Sequence, residues 1–193
     1  MRRFLPVVTA IVGLVVVVLL GVAIGVAQAT AQSAQAPAPK DAPPDVPDSI
    51  QAPAGQEVVL YTHASGSQIY TCQAGADGKF SWTLKAPEAE LRDRKDKIIG
   101  QHSAGPSWKL KDGSEVTGKA VAHVDSLDAE SIPWLLVNVV SHAGNGLLSS
   151  VTTIQRVHTH GGKPPAEGCD AQHVNAETKS SYSADYYFYA PAK

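Results

Sequence analysis

Two histidines placed two positions apart are the residues of this chain best suited to metal chemistry. His158 and His160 lie in a run of strand-forming residues, and alternate residues of a strand share one face. Two imidazoles on one face bind Zn²⁺ or Cu²⁺ when a third ligand converges on them. Candidate third ligands are His63, His123, His142 and Glu167. One hypothesis is therefore a metal centre, and the alternative is an exposed strand end leading into the glycine pair at 161–162.

A second group of residues could bind a small ligand without a metal. The stretch from Gln101 to Ser114, QHSAGPSWKLKDGS, contains His102, Trp108 and Asp112. Arg156 shares a strand face with Ile154, so we expect it to be half-buried and paired with Asp112 or Asp185. Such an arginine serves either a structural ion pair or an anion-binding site. His102, Trp108, Asp112 and Arg156 are the candidate ligand-binding residues, although a buried histidine is more often a hydrogen-bonded structural group.

Complete catalytic sets are missing from the sequence. The Ser-His neighbours, such as Ser141 and His142, would point to opposite faces of a strand, and no Gly-x-Ser-x-Gly elbow occurs. Carboxylates are scattered along the chain, and no glycine-rich phosphate motif is present. Tryptophans and the Tyr186–Tyr189 run could line a groove for a flat ligand, but half of them must point inward on alternating strands, so core filling is the stronger interpretation. The sequence favours a protein that is not an enzyme.

The elements that must position these residues are strands. Lys79–Lys85 alternates apolar and polar residues, and several β-branched or aromatic runs lie between Gly-, Pro- and Asn-rich connections. Among the expected strands are 57–64 and 69–73, separated by Ser65-Gly66-Ser67, and 147–159. Helix is expected only as short turns, with one near 127–131 and two possible within 86–96, where the charges favour a solvated connection instead. The predicted fold class is mainly β: a single-domain antiparallel β-sandwich or barrel of seven to ten strands with short helical turns.

The Gln101–Ser114 stretch predicts one hairpin in detail. A three-residue loop at 111–113, with Gly113 left-handed, sets Trp108 opposite Val116 and Lys109 opposite Glu115. A two-residue loop would place apolar residues against polar ones, because a slip of one residue reverses the faces. This register, extended back through the Gly105–Pro106 break, turns His102 inward.

The N-terminal part of the chain predicts export. Arg2 and Arg3 precede an uncharged run of 21 residues at 6–26, and small-x-small sites ending at Ala29, Ala31 and Ala36 follow it. These features are typical of a signal peptide, with a retained membrane anchor through residues 6–26 as the alternative. The predicted organisation is a leader at 1–29, an Ala/Pro-rich spacer at 30–49 and a β domain at 50–193. The predicted location is secreted, periplasmic or in the cell envelope.

Charge and cysteine content limit the partners. Without Arg2 and Arg3, 14 basic residues face 18 acidic ones, and no basic stripe occurs, so nucleic acid is not expected as a partner. Cys72 and Cys169 are the two cysteines. Outside the cytoplasm such a pair most often forms a disulfide, and the alternative of metal-binding thiols lacks a CxxC set.

Several blocks of the sequence resemble a known family. YTCQ, FSWTLKAPEAEL, GQHSAGPSWKLKDGS, IPWLLV, VTTIQRVHTHGGKPP and YYFYAP occur in that order between about residues 50 and 191. They are similar to a family of exported bacterial and fungal proteins classed as a domain of unknown function. The resemblance implies a secreted β-rich domain with paired Cys72 and Cys169, and it supplies no reaction. The motif positions are His102, Gly105, Pro106, Trp108, Asp112, Gly113, Ser114, Arg156, Gly161 and Gly162.

The function predicted from these observations is a non-catalytic binding or surface module without a cofactor. Its partner would be a small molecule, a glycan or an envelope component. The alternative is a small extracytoplasmic enzyme or metal carrier that uses Zn or Cu at His158 and His160.

Overall fold

The computed structural model describes residues 41–193, in which eight antiparallel strands form one closed barrel. The strands follow one another around the barrel in chain order, and the last pairs with the first. Their bounds are β1 (Gln56–Ala74), β2 (Phe80–Arg92), β3 (Ile98–Ser103), β4 (Ser107–Leu110), β5 (Glu115–Val124), β6 (Trp134–Ala143), β7 (Thr153–Gly161) and β8 (Glu177–Pro191). The mainly β prediction is confirmed, and of its two architectures the barrel is the one observed.

Strand β1 is longer than the sequence predicts. Two strands separated by Ser65-Gly66-Ser67 were expected, whereas one strand of 19 residues runs through this segment. Gly66 fits there because a side chain would collide with β2: an added Cβ would lie 2.1 Å from the Glu88 carbonyl oxygen. The glycine therefore permits close approach of two backbones and does not form a turn.

Strand β2 replaces the helical turns expected at 86–96. Ala89 and Leu91 are buried while Glu88 is exposed and Glu90 half-buried, which is the period of two that a strand requires. Pairing with both β1 and β3 supplies hydrogen bonds that a short exposed helix would lack. The turn expected near 127–131 is a tight turn in which the Ser131 amide donates to the Asp128 carbonyl oxygen. Leu147–Ser150, expected in a strand, also forms a turn.

The β4–β5 hairpin has the predicted register. Trp108 lies opposite Val116 and Lys109 opposite Glu115. The Leu110 amide donates to the Ser114 carbonyl oxygen at 2.9 Å, and Gly113 has a φ of 93°. His102, in β3, is inward-facing and 3% exposed.

Two apolar clusters pack on opposite sides of the barrel wall. Strand β8 alternates between them: Tyr186 and Phe188 belong to the larger cluster with Trp108, whereas Tyr187 and Tyr189 belong to the smaller one. A short 3₁₀ helix, Asp48–Ile50, precedes β1, and Val46 and Ile50 are buried in the smaller cluster. The later part of the predicted spacer thus packs on the barrel. The predicted leader and the start of the spacer lie outside the described residues.

A disulfide joins Cys72 in β1 to Cys169 in the connection before β8, with the sulfur atoms 2.02 Å apart. The predicted cysteine pairing is therefore confirmed. Over residues 41–193, no helix has the length and apolar character needed to cross a membrane.

Candidate functional site

A cavity of about 660 Å³ lies inside the barrel. Every one of the eight strands contributes at least one residue to its lining, from Gln68 in β1 to Tyr186 in β8. Most of the wall is aliphatic or aromatic. An eight-stranded barrel is just wide enough to be filled by side chains or to hold one small ligand, and this one leaves room for a ligand.

The floor of the cavity, defined by the buried lining residues whose side chains carry polar atoms (Gln68, His102, Trp108 and Tyr186), contains polar atoms without partners. Both amide atoms of Gln68, the indole Nε1 of Trp108 and the hydroxyl of Tyr186 are buried and make no hydrogen bond of ordinary geometry. Burial raises the pKa of Tyr186, and the nearby Arg156 and Tyr182 oppose that rise. Because buried polar atoms in native proteins are nearly always paired, this concentration of unpaired atoms needs an explanation.

His102 is the titratable residue of the floor. Its Nδ1 lies 2.8 Å from the Ser107 carbonyl oxygen, which can only accept, so Nδ1 carries the proton and Nε2 is a lone-pair acceptor. Burial lowers the pKa of His102 to about 4. The hydrogen bond to Ser107 raises this pKa, whereas the charge of Arg156 lowers it further. The imidazole is therefore neutral at neutral pH.

Arg156 in β7 brings a positive charge to the cavity. Its Nε and Nη2 donate to the Pro133 carbonyl oxygen at 3.3 and 2.8 Å. Within residues 41–193, no carboxylate lies within ion-pair distance of this guanidinium. The expected ion pair with Asp112 or Asp185 is therefore wrong, because both acids have other partners.

The mouth of the cavity, defined by its exposed lining residues, is apolar with a basic edge. Leu84 and Val140 are 52% and 62% exposed although they are large aliphatic residues. Lys85 and Lys119 lie beside them in the lining. The lining thus changes from a polar, buried floor to an apolar mouth with two ammonium groups.

Asp112 does not reach the cavity. Its Oδ1 accepts from the Ser114 amide at 2.9 Å and from the Ser114 hydroxyl at 2.6 Å, and its Oδ2 accepts from the Leu147 amide at 2.8 Å. These bonds, led by the one from the Ser114 hydroxyl, lower the pKa of Asp112. Three of the four predicted ligand-binding residues converge on one cavity, whereas Asp112 joins the β4–β5 turn to the connection after β6.

The two histidines predicted as metal ligands lie apart from this cavity. The pairing of β7 with β8 shifts register between Val157 and His160, and His158 has a φ of 49°. Both histidines are exposed, with the buried Thr159 between them. The Nδ1 atoms of His158 and His63 each lie 3.0 Å from a carboxylate oxygen of Asp185. Across residues 41–193, no three His, Cys, Asp or Glu side chains form a group able to hold a metal ion.

Sequence reasoning missed Gln68 as a site residue and treated Tyr186 as core. A glutamine in the middle of a strand, on the face that also carries Gly66, was the available signal for Gln68. For Tyr186, the sequence indicated only that alternate residues of the Tyr186–Tyr189 run would point inward.

The fold and the cavity define a class: a disulfide-linked, antiparallel eight-stranded barrel with a ligand-sized cavity lined by all of its strands. The chain belongs to the family described as "Protein of unknown function (DUF3455)", whose model matches residues 53–190. The match spans the barrel from just before β1 almost to the end of β8. No curated protein and no solved structure matches the chain.

Proposed function

We propose that the protein is a binding module that holds a small, mainly apolar molecule inside the barrel. The observation that carries this proposal is the set of unpaired, buried polar atoms at the floor of an otherwise apolar cavity. Ligand sites are typically apolar cavities of about 300–1,000 Å³ with a few converging polar groups. A bound molecule with a polar end would supply the missing hydrogen-bond partners.

The chemistry of the lining supports binding over catalysis. Among the described residues that line the cavity there is no serine, cysteine or carboxylate to act as nucleophile or acid. His102, with a pKa of about 4, is a weak base at neutral pH and has little capacity for general acid–base catalysis.

The test uses N-phenyl-1-naphthylamine, an uncharged probe whose fluorescence increases in apolar surroundings. The full-length protein should bind it with saturable enhancement, and Ala120→Trp, which places a bulky side chain at the mouth of the cavity, should abolish the enhancement. Val121→Trp is the matched control, because Val121 is the next residue and does not line the cavity. No enhancement with the native chain, or equal enhancement with Ala120→Trp, would contradict the proposal.

The metal-dependent alternative has less support. Asp185 orients His63 and His158 through their Nδ1 atoms, which is how carboxylates orient metal-binding histidines. The described chain contributes no third ligand beside them. Elemental analysis of untagged protein after Zn²⁺ or Cu²⁺ loading and dialysis separates the two functions, since one bound metal per chain, lost in His158→Gln, would favour the alternative.

We also propose that the domain functions outside the cytoplasm, on a small molecule or an envelope component. The disulfide supports this location, because such bonds persist in oxidising compartments, and the predicted leader supplies the route. Mass spectrometry of the N-terminus of the native protein tests it. A start near Thr30 indicates a cleaved leader, whereas an intact Met1 in a membrane fraction indicates an anchor.

A further inference from the structure

We infer that the ligand carries a carboxylate, which binds Arg156, and an aliphatic body that extends towards the mouth of the cavity. The inference rests on the proposed binding function and adds the chemical class of the ligand. It follows from three separate properties of the lining: its hydrogen-bonding groups, its charge and its gradient of exposure.

The hydrogen-bonding groups of the floor favour a ligand that accepts. Arg156 and the indole of Trp108 can only donate, and the Trp108 Nε1 has no partner. Gln68 and Tyr186 each offer an unpaired donor as well as an acceptor. A ligand oxygen with several lone pairs would pair with these donors, whereas an ammonium group would leave every donor unpaired. The acceptors Gln68 Oε1 and His102 Nε2 would gain no partner from that oxygen.

The charge of the lining selects an anion among such acceptors. The cationic residues of the lining are Lys85, Lys119 and Arg156, and the described residues that line it include no acid. Lys85 pairs with Glu177, which lies outside the lining, at 2.5 Å, so Lys119 and Arg156 supply the positive charge that no carboxylate of the described residues offsets. This local excess contrasts with the formal net charge of −2 for the whole chain. Arg156 is half-buried and has no carboxylate partner among the described residues, so a ligand carboxylate that pairs with it gains an interaction that the protein does not supply. Lys119 would attract the anion towards the mouth.

The gradient of exposure orients the ligand. Leu84 and Val140 are more than half exposed at the mouth, and Leu135 and Val137 continue the aliphatic surface inwards. A ligand with a charged head at Arg156 and an aliphatic tail that covers Leu84 and Val140 would match both the inner part and the mouth of the cavity. A saturated fatty acid of medium chain length has this chemistry.

The experiment displaces N-phenyl-1-naphthylamine from the full-length protein with octanoate, 1-octanol and octylammonium at one pH and one salt concentration. We expect octanoate to bind at least about tenfold more tightly than octanol, and octylammonium to bind most weakly. Arg156→Gln should reduce octanoate affinity to that of octanol. Arg94→Gln is the matched control, because Arg94 carries the same charge, pairs with Asp41 and does not line the cavity.

The outcomes distinguish the inference from the function on which it rests. If the probe binds but octanol or octylammonium competes as well as octanoate, the carboxylate assignment is overturned and the binding function stands. If the native chain binds neither the probe nor octanoate, both are overturned. The comparison of the three compounds on the native chain decides the assignment even if Arg156→Gln does not fold.

Discussion

The imidazole of His102 stacks on the indole of Trp108, with the ring centroids 4.5 Å apart and the planes inclined by 15°. The two residues are directly opposite each other in the β3–β4 pair, so the stack is a cross-strand contact within the barrel. Tyr186 closes the group from β8, its ring centroid lying 5.3 Å from that of His102. This aromatic group forms much of the cavity floor and fixes the protonation state of its histidine through burial.

Acid should destabilise the protein through His102. The imidazole has a pKa of 6.5 when unfolded and about 4 when folded, so below pH 6.5 the unfolded chain binds a proton that the folded chain does not. The stabilisation is complete above pH 6.5 and is lost as the pH falls towards 4. Between pH 7 and 4.5 the native chain should lose about 2–3 kcal/mol more stability than His102→Gln, from about 1.4 kcal/mol per pKa unit.

Urea unfolding of both proteins at the two pH values measures this difference. Carboxylates that titrate in the same range contribute equally to the two proteins, so they cancel in the comparison. Identical losses in the two proteins would show that His102 is accessible to protons in the folded state.

Replacing Asp112 with alanine should lower stability without altering ligand affinity. The change removes the acceptor for the Ser114 and Leu147 amides, which hold the β4–β5 turn against the connection after β6. The loss of such charge-assisted bonds at an exposed turn costs about 1–2 kcal/mol. Denaturation midpoints and probe affinity are the two measurements, with Asp77→Ala in the exposed β1–β2 turn as control. A large loss of probe binding in a folded Asp112→Ala variant would contradict this prediction and show that Asp112 contributes to the binding site.

Gly118→Ala should destabilise the barrel and disturb the cavity wall. An added Cβ would lie 2.5 Å from Val137 Cγ1 and 3.1 Å from Trp108 Cζ3, so the neighbours must shift. Overpacking of this kind typically costs about 1–3 kcal/mol, and the shift of Trp108 should change the tryptophan fluorescence of the folded protein. Lys119→Ala, at the next position, should stay within about 0.5 kcal/mol of the native chain, as exposed substitutions do. Equal stability of Gly118→Ala and the native chain would show that Val137 repacks freely.

Reduction of the Cys72–Cys169 disulfide should lower the urea midpoint. The bond closes a segment with a sequence separation of 97 residues, and a native disulfide of this kind contributes about 2–4 kcal/mol. The backbone hydrogen bonds of Cys72 with Asn175 and Ala176 hold the same connection, so the barrel should remain folded in mild conditions. Dithiothreitol should have no effect on Cys72→Ala/Cys169→Ala. An unchanged midpoint for the reduced native chain would contradict the prediction.

The features predicted correctly are those that depend on local alternation. The register of the β4–β5 hairpin follows from which loop length keeps Trp108 and Val116 on one face. The inward position of His102 follows from the same parity. The disulfide followed from cysteine count and predicted export, without any geometry.

The features that were missed depend on pairing between distant segments. Strand β1 continues through Gly66 only because β2 and β8 lie on either side of it, and β2 continues through Ala89 for the same reason. The bulge of β7 against β8 between Val157 and His160 is another such feature, which local sequence does not reveal.

The sequence by itself determined the β class and the inside–outside pattern, because each follows from neighbours along the chain. It also determined the disulfide, because Cys72 and Cys169 are its two cysteines. Only the tertiary structure decided that Gln68, His102, Arg156 and Tyr186 line the same cavity, while Asp112 lies elsewhere. These four residues come from β1, β3, β7 and β8, and they meet because the pairing of β1 with β8 closes the sheet. Closure depends on contacts between the two ends of the domain, and the periodicity of one strand carries no information about which distant strand it will pair with.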